Sequence, residues 1–120
     1  METNRTEQLE ALETLSQFND RLLKNLPTII SELSGKRQPD TDTYLKSILD
    51  AINWEINVMN ATSDLLAEGE TPIDKENFNQ SILALNAALS SETDSEISDA
   101  FRNLIPHFEA LGAAAKEVTA

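Results

Sequence analysis

The chain contains no cysteine. That excludes a disulfide framework, a thiol nucleophile and any cysteine-ligated zinc, and it is what a protein of a reducing cytosol would show. Glycine and proline are scarce, three and four in 120 residues, too few to punctuate a many-stranded β fold. The single histidine cannot supply the two Glu-x-x-His motifs of a di-metal carboxylate bundle, and Leu104 stands three places before His107. There is no glycine-rich phosphate loop and no Gly-x-Ser-x-Gly turn. No window approaches the roughly 18 apolar residues of a membrane span. Met1 to Glu13 is polar and acidic, unlike a signal peptide. The expectation is one soluble cytoplasmic domain over residues 1–120, long enough to bury a core of its own.

Basic residues are also few, nine against 21 acidic, for a net charge of −12. The imbalance is uneven: residues 1–37 carry a net −1 and residues 38–120 a net −11. Such a surface repels phosphate backbones and anionic membrane surfaces, so neither nucleic acid nor membrane is an expected partner. It keeps the chain soluble and permits a basic partner.

What remains is helical periodicity. Leu12, Leu15, Phe18, Leu22, Leu26, Ile29 and Leu33 recur at steps of three and four, which predicts a first helix over about 6–34, kinked or broken at Pro27 and stopped by Gly35. A second helix, about 41–68, is capped by Asp40 or Thr41 and stopped by Gly69. A third, about 72–89, opens at Thr71-Pro72 or is capped by Asp74, with Ile73 and Phe78 as a hydrophobic staple. A fourth, about 95–118, is capped by Asp94 or Ser95 and runs through Pro106 without a break. The fold expected is an all-α antiparallel four-helix bundle, with five segments if Pro27 splits the first helix.

The second helix is apolar over more than half its circumference. Leu45, Ile48, Leu49, Ile52, Ile56, Met59 and Leu66 form one stripe, and Ala51, Trp54, Val58, Ala61 and Leu65 an adjoining one. Either the helix is central and touches two or three neighbours, or it contacts something beyond its own chain. Trp54 is expected in the core, with Ala61 and Leu65 partly exposed.

Chemistry is harder to find. Asp40-Thr41-Asp42 has the look of a calcium-loop fragment but lacks the glycine and closing glutamate, and reads as helix capping. His107 has no nucleophile or polar set at a recognisable spacing and reads as a surface residue. No enzyme, cofactor or metal is expected.

The segments Arg21-Leu-Leu-Lys-Asn-Leu-Pro27, Leu45 to Asn60 around Trp54, and Leu104-Ile-Pro106 resemble a family of small uncharacterised helical proteins of Gram-positive bacteria associated with motility and flagellar gene neighbourhoods. The resemblance covers roughly residues 20–111. It implies a helical bundle and a chaperone or adaptor role in motility or export, and it brings no catalytic residues. The function expected is therefore a non-enzymatic protein-interaction module, its partner surface being Tyr44, Trp54, Val58, Ala61 and Leu65. The alternative is a structural homodimer whose apolar stripe is covered by its twin.

The charge distribution sets a first test. Mobility-shift assays at micromolar protein and physiological salt should show no DNA or RNA complex. A shift that weakens as salt rises would contradict the electrostatic argument.

Overall fold

The computed structural model describes residues 2–91 and 93–120. They form α1 (Glu2–Leu33), α2 (Thr41–Ala61), the single turn α3 (Ser63–Leu66), α4 (Lys75–Ser91) and α5 (Asp94–Thr119), with no strand among the described residues. The fifth segment comes from a break at Thr62, not at Pro27. Pro27 is exposed and α1 runs through it, because water can take the carbonyl that the missing N–H leaves. Pro106 is likewise exposed inside a continuous α5.

In α1 the buried seam is 12, 15, 19, 22, 26, 29 and 33, an alternation of three and four, with Ile30 buried beside it. Asn19, not Phe18, holds the seam: Asn19 is 1% exposed and Phe18 45%. Only this assignment keeps the step pattern that lays one helix along another. In α5, Ile97, Phe101, Leu104, Phe108, Leu111 and Ala115 answer with steps of four and three, all buried. The two helices are antiparallel, since Ser34 meets Ser98 (3.1 Å), Asn19 meets Phe108 (2.9 Å) and Asp20 meets Lys116 (2.9 Å).

Tyr44 reaches Asn25, and the Trp54 ring lies on Phe18, so α2 runs back along α1. Phe78 packs edge-on against Phe108, so α4 runs back along α5. The result is an up-down-up-down bundle 48 × 25 × 20 Å across, two helices by two, its length that of the 32-residue α1 at 1.5 Å per residue. Its close contacts are unequal. The backbones of α1 and α5 approach closely along their length, as do α4 with α5 and α1 with α2. Among the long helices, α2 lies close to α1 alone. The expectation of a central second helix is thus corrected: α1 and α5 form the spine and α2 lies against one side.

The helix ends correct several boundaries. Thr62 leaves helical geometry (φ −112°, ψ 15°), and its hydroxyl donates to the Val58 carbonyl at 2.7 Å, ending α2 seven residues before the Glu68 expected. Gly69 is therefore no helix stop; a Cβ there would come 2.9 Å from the Glu117 carboxylate. Gly35 does end α1, at φ +109°. Neither Asp40 nor Thr41 caps α2 by side chain. The Thr41 hydroxyl accepts from the Gln38 N–H and donates to Glu32, both at 2.7 Å, tying the loop to α1. Asp74 caps α4, accepting from the Asn77 N–H at 3.1 Å, and Thr71-Pro72 stays outside the helix. α5 starts at Asp94 behind Thr93, which makes no side-chain cap; Asp94 instead accepts a forked pair from Arg37 at 2.7 and 3.0 Å. Of the expected loop 90–95, Glu92 lies outside the described residues.

The α1–α5 approach depends on Gly112. A Cβ there would stand 2.3 Å from Asn19 Nδ2, which donates to the Phe108 carbonyl. Gly112→Ala should cost roughly 1–3 kcal/mol by overpacking in denaturant unfolding. Asn19→Ala combined with Gly112→Ala should cost less than the sum of the single changes, because removal of the amide makes the room.

Candidate functional site

The break at Thr62 and the one-sided packing of α2 decide which apolar residues meet solvent. Trp54 is 38% exposed and is not a core residue, which corrects the expectation for it. Its ring lies 5.3 Å from that of Phe18, tilted by 57°. The Arg21 guanidinium stands 5.6 Å over the outer side of Phe18, within reach of a cation–π contact. Two large aromatics thus form a ridge across the α1/α2 groove.

On one side of the ridge is a trough of about 480 Å³ lined by Glu7, Gln8 and Ala11 of α1 and by Trp54, Val58 and Ala61 of α2. On the other, a smaller hollow of about 180 Å³ runs from Phe18 and Ala51 to Tyr44, whose hydroxyl donates to Asn25 Oδ1 at 2.9 Å. Three expected site residues, Trp54, Val58 and Ala61, therefore line the trough, and a fourth, Tyr44, lines the hollow beyond the ridge. Leu65 lines neither. It is 2% exposed, because the chain turns at Thr62 and carries it into the core. Phe18 and Arg21 join the groove although periodicity placed Phe18 inside. Either residue divides the seven places from Leu15 to Leu22; Asn19 keeps the alternation of three and four strict, and the preference for an apolar residue favoured Phe18.

A second residue escaped the sequence pattern. The inward stripe of α2 is Ile48, Ile52, Glu55 and Met59, with steps of four, three and four, and Glu55 is 0% exposed. Both its carboxylate oxygens lack a hydrogen-bond partner, as does the buried Oδ1 of Asn19. Burial alone pushes the Glu55 carboxyl from its ordinary 4.5 up to about 8, because a charge in apolar surroundings loses its hydration without compensation. The signal was a charged residue falling on a 4-3-4 apolar spacing.

Part of the acidic surface ties loops and helix ends together. Arg5 forks onto Glu68 at 2.9 and 3.0 Å. Glu117 accepts from the Glu70 and Thr71 backbone and from the Thr71 hydroxyl, which hold its carboxyl below the usual range. Asp42 pairs with Arg37 at 2.8 Å. The His107 ring packs 5.3 Å from that of Phe78, and His107 shares an open hollow with Ser81 without a hydrogen bond between them. Among the described residues no three His, Asp or Glu side chains converge on a possible metal, and no helix is long and apolar enough to cross a membrane.

Residues 10–114 match a family model described as a domain of unknown function (DUF8042). The chain belongs to this family. No curated protein and no solved structure matches it. The matched span takes in the α2 wall of the groove, the Phe18–Trp54 ridge, the buried Glu55 and most of the α1–α5 seam.

Trp54→Ala should destabilise the fold by less than the roughly 3–5 kcal/mol of a fully buried aromatic. With Phe18→Ala, the double-mutant cycle should return a coupling of about 0.5–1.5 kcal/mol. Urea unfolding measures both, and zero coupling would mean that the ring contact is incidental.

Proposed function

We propose that the protein is a non-enzymatic interaction module whose α1/α2 groove receives an amphipathic helix of a protein partner. The observation that carries this reading is the Phe18–Trp54 ridge, two exposed and mutually packed aromatics set between apolar hollows. Large aromatics are the usual energetic centres of such contacts, and a rigid pair loses little side-chain freedom on binding. From Tyr44 to Ala61 the groove extends about 26 Å at 1.5 Å per residue, room for about five turns of helix. The surrounding acidity favours a partner with basic flanks and disfavours nucleic acid or an anionic membrane. The resemblance to the helical proteins of motility neighbourhoods supports an export-chaperone-like or regulatory adaptor in the cytoplasm of a Gram-positive bacterium.

The test pairs native co-purification with sedimentation. Wild type should carry a protein partner that Trp54→Ala and Phe18→Ala both lose while remaining folded. A monomer whose partner still binds both variants would remove the groove from consideration. A dimer that Trp54→Ala dissociates would assign the same face to a second copy of the chain, the homodimeric reading.

A further inference from the structure

Glu55 lies at the level of the bundle where α1 contributes its one polar seam residue. The Phe18–Trp54 ring contact places positions 19 and 55 within about one helical turn of each other along the antiparallel pair. Each carries buried oxygen that nothing satisfies: one on Asn19, two on Glu55. The other fully buried residues of α2 are Thr41, Ile48, Ile52 and Met59, and Tyr44, Leu45, Leu49, Ile56 and Val58 pack partly buried against the core. No cation is placed to neutralise the acid. On α1, Arg5, Glu7, Glu10, Glu13, Asp20, Arg21 and Lys24 are exposed, and the half-buried Glu32 is bonded to Thr41. On α4 the charged residues, Lys75 and Glu76, are exposed, and so is Asp64 of α3. On α5, Glu96, Asp99, Arg102, Glu109, Lys116 and Glu117 are exposed, Asp94 is held by Arg37, and His107 packs on Phe78. Asp42, Lys46 and Asp50 of α2 itself face solvent.

We propose that α2 is a detachable helix, docked on the α1–α5 spine while Glu55 is protonated and released as that carboxyl ionises. Three features make the release local. Among the long helices the close backbone approach of α2 is to α1, as that of α4 is to α5, and the α1–α5 and α4–α5 contacts form without α2. Regular helix is already interrupted between α2 and the next segment at Thr62. Both connecting loops are fastened from outside the core, one by Arg37 on Asp94 and the other by Glu117 on Glu70 and Thr71, so a released α2 stays tethered. Lifting it hydrates the carboxylate and uncovers the inner face of α1. The inference stands whether or not the groove has a partner.

The direction follows from proton linkage. Docking takes up a proton wherever the released helix would be ionised and the docked one is not. Docking is therefore strongest below the ordinary carboxyl range, weakens about tenfold per pH unit above it, and levels off once the docked carboxyl also ionises. Hydrogen exchange of the full chain, followed by mass spectrometry at pH 5 to 9, measures this. Comparing wild type with Glu55→Gln at each pH cancels the chemistry of exchange. Peptides from 41–61 should lose protection relative to the variant, by up to tenfold per pH unit to about pH 8 and no further, while α1 and α5 keep theirs. A wild-type-to-variant ratio that stays constant with pH would overturn the proposal. So would a loss shared equally by α1, α2 and α5, which is global unfolding. If Glu55→Gln does not fold, Glu55→Met continues the apolar stripe and serves as the reference. Emission of Trp54, the one tryptophan of the chain, gives an independent reading. It should shift to the red between pH 6 and 9 in wild type and stay fixed in the variant, and an unmoving wild-type spectrum would contradict release.

Discussion

The close antiparallel approach of α1 and α5 is the constraint on which the rest of the molecule depends. Two helices can lie this close where one side is bare backbone, and Gly112 supplies that bareness opposite Asn19. The amide then reaches across to the Phe108 carbonyl. A buried amide bonded through only one of its ends is a poor source of stability, since a net hydrogen bond contributes about 1 kcal/mol and an unsatisfied buried group costs about as much or more. Its value lies in register. A polar residue at one seam position tolerates few alignments, because any slip leaves it facing apolar surface. Once α1 and α5 are aligned, α4 closes on α5 through Phe78 and Phe108, and α2 takes the side that remains.

α2 brings a carboxylic acid into its own inward stripe and finds no base to meet it. An isolated acid in the interior is kept neutral, because the proton costs less than stripping a carboxylate of water. The same one-sidedness leaves the outer flank of α2 uncovered, and there Trp54 and Phe18 lie against each other in view of solvent. The groove and the buried acid are thus two results of one asymmetry. A helix held equally by two neighbours would have covered the first and been harder to release through the second.

The clasps at the two ends are of another kind. Arg37 with Asp94 and Asp42, Arg5 with Glu68, and Glu117 with the loop before α4 are all exposed. Each contributes little to stability, about 0–1 kcal/mol for a surface ion pair. Their effect is to fix where loops cross the ends of the bundle, which is why Gly69 sits where a side chain would strike Glu117.

Fold class, the four long helices and most of the core were legible in the chain, because steps of three and four are a one-dimensional property that neighbouring residues carry between them. The stop at Gly35 and the cap at Asp74 were legible for the same local reason. So was the groove in part, since Tyr44, Trp54, Val58 and Ala61 share a flank of one helix. Phe18 against Asn19, the inward Leu65 and the buried Glu55 were not. Each is settled by a neighbour distant in sequence: the Phe108 carbonyl and bare Gly112 for Asn19, the break at Thr62 and the packing beyond it for Leu65, the shielding of α2 for Glu55. Periodicity states which residues share a face. Which face is covered, and how closely, is decided only when the helices meet, because burial depends on the neighbour and not on the residue.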